Sequence, residues 1–289
     1  MNSGVTANTA WIKLLNDIMT DGSRVVCRGH SIIELLNYST VIDMNYPLLT
    51  VPERKLGYRF QFREASWILS GDNRTLTIKP YSKMIEKFSD DGMYYFGAYG
   101  PKVVDQLPYI IKAFKKDIFT RQAVLTIWRE RPYTSNDIPC TVSVQFIIRQ
   151  DKGTYYLNCF DNMRSSDAWL GAPYDWFNFS MLSAVVAVIL RKILSIEIEL
   201  GNLYFNAASE HLYVDGFGYS LKDVDRVISE NENGSKPLFE YKPLDIAEIK
   251  HPDTLIVHLK NMAQSITPCQ WLPYLSEYIE YRQLQNEEY

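Results

Sequence analysis

MRSSDAWLGAPYD, residues 163–175, follows three β-rich runs and leads into an apolar helix, and its reading decides the fold. The runs before it are residues 122–128 (QAVLTIW), 141–149 (TVSVQFIIR) and 154–160 (TYYLNCF), each bounded by turn residues. After it the pattern predicts a helix over residues 175–194, then extended pieces at 195–203 and 211–214. Working outward, helical spacing recurs at residues 8–20 (Trp11, Leu14, Leu15, Ile18), at 58–69 before a Gly-Asp-Asn stop, and at 103–115 after the loop GMYYFGAYGPK. Residues 40–50 read as extended, closed by Pro47, and the polar stretch 229–238 as a surface loop. With no repeat or linker, residues 1–289 are expected to form a single α/β (α+β) domain, a mixed sheet flanked by helices.

Bulk properties exclude several classes. The chain is 46% hydrophobic and 22% charged with a formal net charge of -4, so it has apolar material for a core and no basic field for a polynucleotide. Its four cysteines form no C-x-x-C pair, which argues against a zinc or redox motif. The first residues lack the basic-then-apolar pattern of a secretory signal, so reduced thiols in a cytoplasmic protein are expected. The longest apolar run, residues 179–190, falls short of the ~20 residues that span a bilayer and reads as a buried core helix.

The candidate nucleophile is Cys140, in Asp137-Ile-Pro-Cys140 at the entrance to a β-rich run. A lone cysteine is most often a small buried hydrophobe. Here Arg121, Arg129 and Arg131 precede it and Arg164 follows, and cationic surroundings are expected to lower a thiol pKa.

The ordered set resembles the thymidylate synthase family. The family reads P-C-H, a strand ending Q-F, then Q-R-S-x-D-x-x-x-G-x-P-x-N. Here stand Pro139-Cys140, Gln145-Phe146, Arg164-Ser165-Ser166-Asp167 and Gly171-Ala172-Pro173-Tyr174-Asp175. The family's E-x-x-W-x-x-x-G appears as Glu64, Trp67 and Gly71, its Y-G turn as Tyr99-Gly100, its S-R-R as Thr120-Arg121-Gln122, and its G-D-A-H-x-Y as Ser209-Glu210-His211-Leu212-Tyr213. Singly, each match has a bland reading: a surface pair for Arg164 and Asp167, core aromatics for Trp67 and Tyr213, a solvated helix face for Glu64. In order, over roughly residues 60–215, the set is specific.

The resemblance implies a pyrimidine-nucleotide C5 enzyme using 5,10-methylenetetrahydrofolate as co-substrate and no metal. It implies that Cys140 adds to C6 of the base, with Glu64 and Tyr99 handling protons. Arg121, Arg164 and Ser165 would hold the 5′-phosphate with an N-terminal arginine, Arg28 or Arg24, and Arg121 would reach in from the second subunit of a homodimer paired through its sheets. Asp167 and Gly171 fall on the folate side, and His211 and Tyr213 on the sugar hydroxyl.

Departures refine this. Asp175 stands where thymidylate synthases carry asparagine, and a carboxyl can accept from the 4-amino group of cytosine. The same change marks the cytidylate (dCMP or CMP) 5-hydroxymethylase branch. Thr141 replaces the histidine after the cysteine, Gln122 replaces the second arginine, residues 80–88 (PYSKMIEKF) lack the folate-flanking tryptophans, and the closing residues RQLQNEEY lack the apolar tail. A wetter site favours addition of water over transfer of hydride to the exocyclic methylene, giving 5-hydroxymethyl rather than methyl. The expected activity is therefore one-carbon transfer to C5 of CMP or dCMP, completed by water. Methylation of dUMP or a cytidylate, and a non-catalytic nucleotide-binding homologue, are the alternatives; no polynucleotide and no membrane is expected as a partner.

Overall fold

The computed structural model describes residues 4–82, 84–129, 134–231, 242 and 245–264. Arg131, most of the 229–238 loop and the closing RQLQNEEY lie outside the described residues. In chain order the elements are α1 (Ala7–Asp21), β1 (Ser23–Cys27), β2 (His30–Asp43), α2 (Tyr58–Leu69), the single turn α3 (Thr75–Ile78), α4 (Tyr99–Lys116), β3 (Val124–Thr126), β4 (Thr141–Asp151), β5 (Thr154–Met163), β6 (Ser166–Asp167), α5 (Ala172–Leu194), β7 (Ile198–Tyr213), α6 (Leu221–Asn231) and α7 (Pro252–Gln264).

One mixed sheet runs β1-β2-β7-β5-β4-β3, with β6 added beside β7. The pairs β5–β7 and β6–β7 are parallel and the others antiparallel, so α5 serves as the crossover that a parallel pair requires. Helix α5 is apolar on all sides and buried along most of its length, as a central helix must be. By length and composition it could cross a membrane, but most of it is packed inside the protein. It begins at Ala172, earlier than the pattern suggests, because Pro173 fits the first helical turn.

Around it, α1 turns Ala10, Trp11, Leu14, Leu15 and Ile18 to the core. Trp11 Nε1 donates to the carbonyl of Ala168 at 2.7 Å, tying the first helix to the turn after β6. Two corrections concern strands. The pieces expected at 195–203 and 211–214 are one long strand, β7, and the extended reading of residues 40–50 holds only to Asp43, where β2 ends in a turn. Helix α4 starts at Tyr99 rather than 103, inside the glycine-rich loop.

That loop is glycine-rich because chains cross closely there. A Cβ on Gly100 would sit 2.8 Å from the carbonyl oxygen of Asp72, and one on Gly97 would sit 2.3 Å from that of Asp137. The start of α4 is thereby held against the end of α2 on one side and the approach to Cys140 on the other. The sheet face away from the helices carries Phe160 stacked on Tyr204 (4.5 Å, 7°) among asparagines and serines, all partly exposed.

Candidate active site

Cys140 sits where the chain enters β4, and its loop is fixed from two directions. The Tyr99 hydroxyl accepts from the backbone N–H of Cys140 (3.3 Å) and of Thr141 (3.1 Å), leaving its own proton to donate elsewhere. From the other side, Arg164 donates through its backbone N–H to the Cys140 carbonyl (2.8 Å), through Nε to Pro139 (2.9 Å) and through Nη2 to Ile138 (3.2 Å). The same Nη2 lies 3.7 Å from Cys140 Sγ, and the guanidinium lies over the Trp128 ring. Nη1 has no partner among the described residues, so the outward corner of the fork is open to an anion.

The expectation of a lowered thiol pKa is corrected. Burial pushes the Cys140 thiol up, and the opposing pull of Arg164 and Arg28 does not overcome it, while Asp175 and Asp137 add to the rise. Of the arginines expected around the thiol, Arg164 acts on it directly. Arg121 does not: it is exposed, and continuing the β3–β4 register sets it opposite Ile148, roughly 25 Å along the strand from Cys140 at about 3.3 Å per residue.

Two carboxyls, Asp175 and behind it Glu64, are grouped with the thiol. Glu64, on α2, accepts from Asn178 Nδ2 at 2.8 Å; burial lifts its pKa to about 7 although that hydrogen bond pulls the other way. Asp175 is in the first turn of α5, its N–H bonded to the carbonyl of Gly171 at 3.1 Å. Burial and then the charge of Glu64 hold its carboxyl well above the usual range, and it has no hydrogen bond among the described residues. Its charge is felt at Tyr99 and Cys140, so these four side chains form one electrostatic unit.

Asp167 lies on the far side of the α5 N-terminus. Its Oδ1 accepts from Trp169 N–H (2.9 Å) and Leu170 N–H (2.7 Å), yet burial lifts its pKa to about 6. Arg54 sits against it, donating from Nε to the Trp169 carbonyl at 2.6 Å and lying over the rings of Trp169 and Tyr174. Gly171 precedes α5, its N–H bonded to the Asp167 carbonyl. Ser165 is half-buried in the turn between β5 and β6 and faces no protein partner among the described residues.

Between Arg24 and Arg28 the geometry distinguishes. Arg28, in the two-residue β1–β2 turn at φ 50°, hydrogen-bonds the Tyr213 side chain, and its charge reaches Cys140 and His211. Arg24 is mid-strand on exposed β1, opposite Ile33. His211 is 7% exposed with Nδ1 lacking a partner, and burial pulls its pKa down, so it is a neutral imidazole with a free polar atom. Its ring meets that of Tyr213 edge-on at 5.1 Å, and Tyr213 stacks on Phe217.

Residue-by-residue reading missed four groups. Asn178, which orients Glu64, falls three positions after Asp175 on the same helix face, a spacing that could have exposed it. Arg54 carried no motif of its own. Glu210 and Asp161 are acids inside strands, both fully buried. Glu210 accepts from Ser166 Oγ at 2.9 Å with its second oxygen unpartnered, and burial lifts its pKa to about 8. Trp67, by contrast, is a core aromatic meeting Tyr95 edge-on. Among the described residues no group of three or more His, Cys, Asp or Glu is placed to hold a metal ion.

The arrangement offers a clamped thiol, an acid that titrates near neutrality, a neutral carboxyl with both oxygens free, and an open arginine corner. Comparison with known proteins agrees with that chemistry. The chain is 25% identical over 286 residues to the deoxyuridylate hydroxymethyltransferase of Bacillus phage SP01, covering 90% of this chain and 70% of the relative. The family model described as thymidylate synthase matches residues 9–264, nearly the whole described fold with every side chain named at this site, and the chain belongs to that family, whose members pass a one-carbon unit from methylenetetrahydrofolate to a pyrimidine nucleotide.

Proposed function

We propose that this chain transfers a one-carbon unit to C5 of a cytidine nucleotide, CMP or dCMP, and that water completes the reaction to give the 5-hydroxymethyl product. The observation that carries the base assignment is Asp175: a buried carboxyl held neutral beside the nucleophile, with no protein partner among the described residues. A neutral carboxyl presents one O–H donor and one acceptor, which fit N3 and the 4-amino group of cytosine.

Cys140 gives its thiol proton to a nearby base as Sγ forms the bond to C6, the C5=C6 pair shifts to C4=C5, and the C4=N3 pair is taken up at N3 with the Asp175 proton. C5 then carries enamine character. The folate co-substrate supplies the one-carbon unit at the formaldehyde level, and the Asp167 carboxyl, its pKa lifted to about 6, fits with the adjacent Arg54 a polar heterocycle with mixed donors and acceptors. Glu64, titrating at about 7, is matched to moving protons to and from water at neutral pH. Arg164 with Ser165 and Arg28 binds the phosphate, His211 and Tyr213 the sugar, and Arg121 completes the phosphate site of a second subunit across the helix-free sheet face.

A second reading, uridylate as the substrate, is favoured by the phage relative, which is named for deoxyuridylate. A panel of CMP, dCMP, UMP and dUMP with methylenetetrahydrofolate, scored by release of C5 tritium and product mass, tests both. Cytidylate turnover to a hydroxymethyl product is expected. Preference for a uridylate would replace the base assignment, and absence of tritium release from all four would overturn catalysis itself.

A further inference from the structure

Asp161 is the one fully buried carboxylate residue among the described residues with neither oxygen hydrogen-bonded. Nothing in the chemistry above uses it. It lies on β5, on the face that also carries Cys159 and Met163, while the alternate residues Phe160 and Asn162 point to the opposite face. Cys159 faces Ser183 on α5, whose hydroxyl pulls against the rise that burial gives the thiol, and this places strand and helix relative to each other. Two residues along β5 advance about 6.6 Å, close to one turn of α5 at about 5.4 Å. Asp161 is therefore level with Phe179, one helical turn from Asp175 and on the same side of the helix. The charge of Asp175 reaches it.

Leaving both oxygens of a buried carboxyl unbonded costs a few kcal/mol, on the order of the whole penalty for an unsatisfied polar group. A leucine would fill the same place at no such cost. Burial raises Asp161 well above the usual carboxylate range and an ionised Asp175 raises it further, so Asp161 holds its proton when Asp175 is charged. The other groups facing Asp175 are Glu64 from α2, Tyr99 from α4, Cys140 from the β4 approach and Glu210 from β7. Asp161, with neither oxygen hydrogen-bonded, is the acid in this group with both oxygens uncommitted and its O–H free to turn toward Asp175.

We infer that Asp161 is a positioning residue for the base: a buried acid that keeps its proton and donates it as a hydrogen bond to the Asp175 carboxylate formed when N3 of cytosine is protonated. The inference rests on the cytidylate reading. Addition at C6 of cytosine drives electrons to N3 and draws the proton off Asp175. Addition to uracil drives them to O4 while N3 already carries hydrogen, so the Asp175 carboxylate does not have to form. Asp161 is thus tied to one base and to the transition state rather than to binding.

The test uses the full chain with dCMP and dUMP, the folate co-substrate, and the variants Asp161→Leu and Asp161→Asn. Asp161→Leu is expected to fold with at least wild-type thermal stability. Its kcat and C5 tritium exchange on the cytidylate should fall roughly ten- to a hundredfold, the worth of one charge-assisted hydrogen bond. KM should be little changed, and any dUMP turnover should fall far less. Asp161→Asn keeps an N–H donor at that place and should restore most of the lost kcat. Equal losses on both bases, a loss confined to KM, or an asparagine variant as poor as the leucine one would overturn the inference. If the wild-type protein prefers dUMP, the cytidylate reading fails. If it prefers dCMP and Asp161→Leu is silent, the role of Asp161 alone fails.

Discussion

Arg164 holds Cys140 and the two residues before it at four points: the arginine N–H holds the cysteine carbonyl, Nε and Nη2 hold the carbonyls of Pro139 and Ile138, and Nη2 stands 3.7 Å from Sγ. One guanidinium thereby shapes the nucleophile loop and faces the thiol it positions. Because burial outweighs that charge, the resting thiol stays protonated at neutral pH, and a bound phosphate on Arg164 would weaken the arginine's pull further. Activation of Cys140 is then coupled to loss of its proton toward a nearby base rather than to a standing thiolate.

Cys140→Ala should abolish turnover and C5 tritium release while nucleotide binding by calorimetry survives, since the phosphate groups are separate from the thiol. Arg164→Ala should lose both. Its binding loss is expected on the order of 2–5 kcal/mol for a desolvated ion pair, with added loop disorder because the carbonyls of Pro139 and Ile138 lose their donor. Near-normal turnover in Cys140→Ala would remove covalent catalysis.

Arg121 is too far from Cys140 to serve its own site, so its variant offers a test of assembly. Arg121→Ala and Cys140→Ala should each be inactive alone, and mixing them under exchange conditions should regain up to about a quarter of wild-type activity through hybrid dimers with one intact site. Light scattering should show a dimer in each. No regain on mixing would mean that Arg121 does not act across an interface.

What the sequence disclosed follows from where chemistry meets pattern. Cys140, Arg164, Asp167 and Asp175 were legible because their spacing is set by one strand, one turn and one helix start, and Arg28 was legible as one of two choices that only the β1–β2 turn could separate. Asp161 and Glu210 were not, because an acid in a strand reads as a solvent-facing residue until the opposing helix is in place. β7 read as two pieces because Asn202, Asn206 and Ser209 interrupt its apolar run; they bond to Asn158, Asn162 and Glu34 on neighbouring strands. The β1–β2 hairpin carried no apolar alternation, since β1 is exposed along its length.

The buried acids give the nucleotide-free protein an unusual pH dependence. Glu210 has a folded-state pKa of about 8 and Glu64 of about 7, both above the ordinary 4.5. The folded state holds these protons more tightly than the unfolded chain, so the stabilisation is full below pH 4.5 and is lost as pH rises through 7 and 8. Each such group contributes a slope of up to about 1.4 kcal/mol per pH unit. Denaturant midpoints should fall from pH 5.5 to 8.5, and Glu210→Gln should flatten the upper half of that fall. A midpoint that rises across the same range would show that these carboxyls ionise freely in the fold.

The same proton economy sets the outcome at Asp175. In the free protein its carboxyl is neutral, so it can give N3 of cytosine a donor and take the 4-amino group with its other oxygen. Asparagine offers a donor and an acceptor too, but its N–H cannot be transferred. Asp175→Asn should therefore keep much of the cytidylate affinity and lose most of the cytidylate kcat, because the substituted contact fails only when N3 becomes basic. Uracil places its developing charge on O4, where an amide N–H can hold it without proton transfer, so the variant should gain relative activity on dUMP. The expected reading is a fall of about a hundredfold or more in kcat/KM for dCMP, with the ratio of the two bases moving toward dUMP, as when a buried hydrogen-bonding group meets the wrong edge. Measuring kcat and KM separately for both nucleotides in both proteins decides it. A variant whose base ratio is unmoved, or whose loss lies wholly in KM, would mean that Asp175 binds the nucleotide without reading its base.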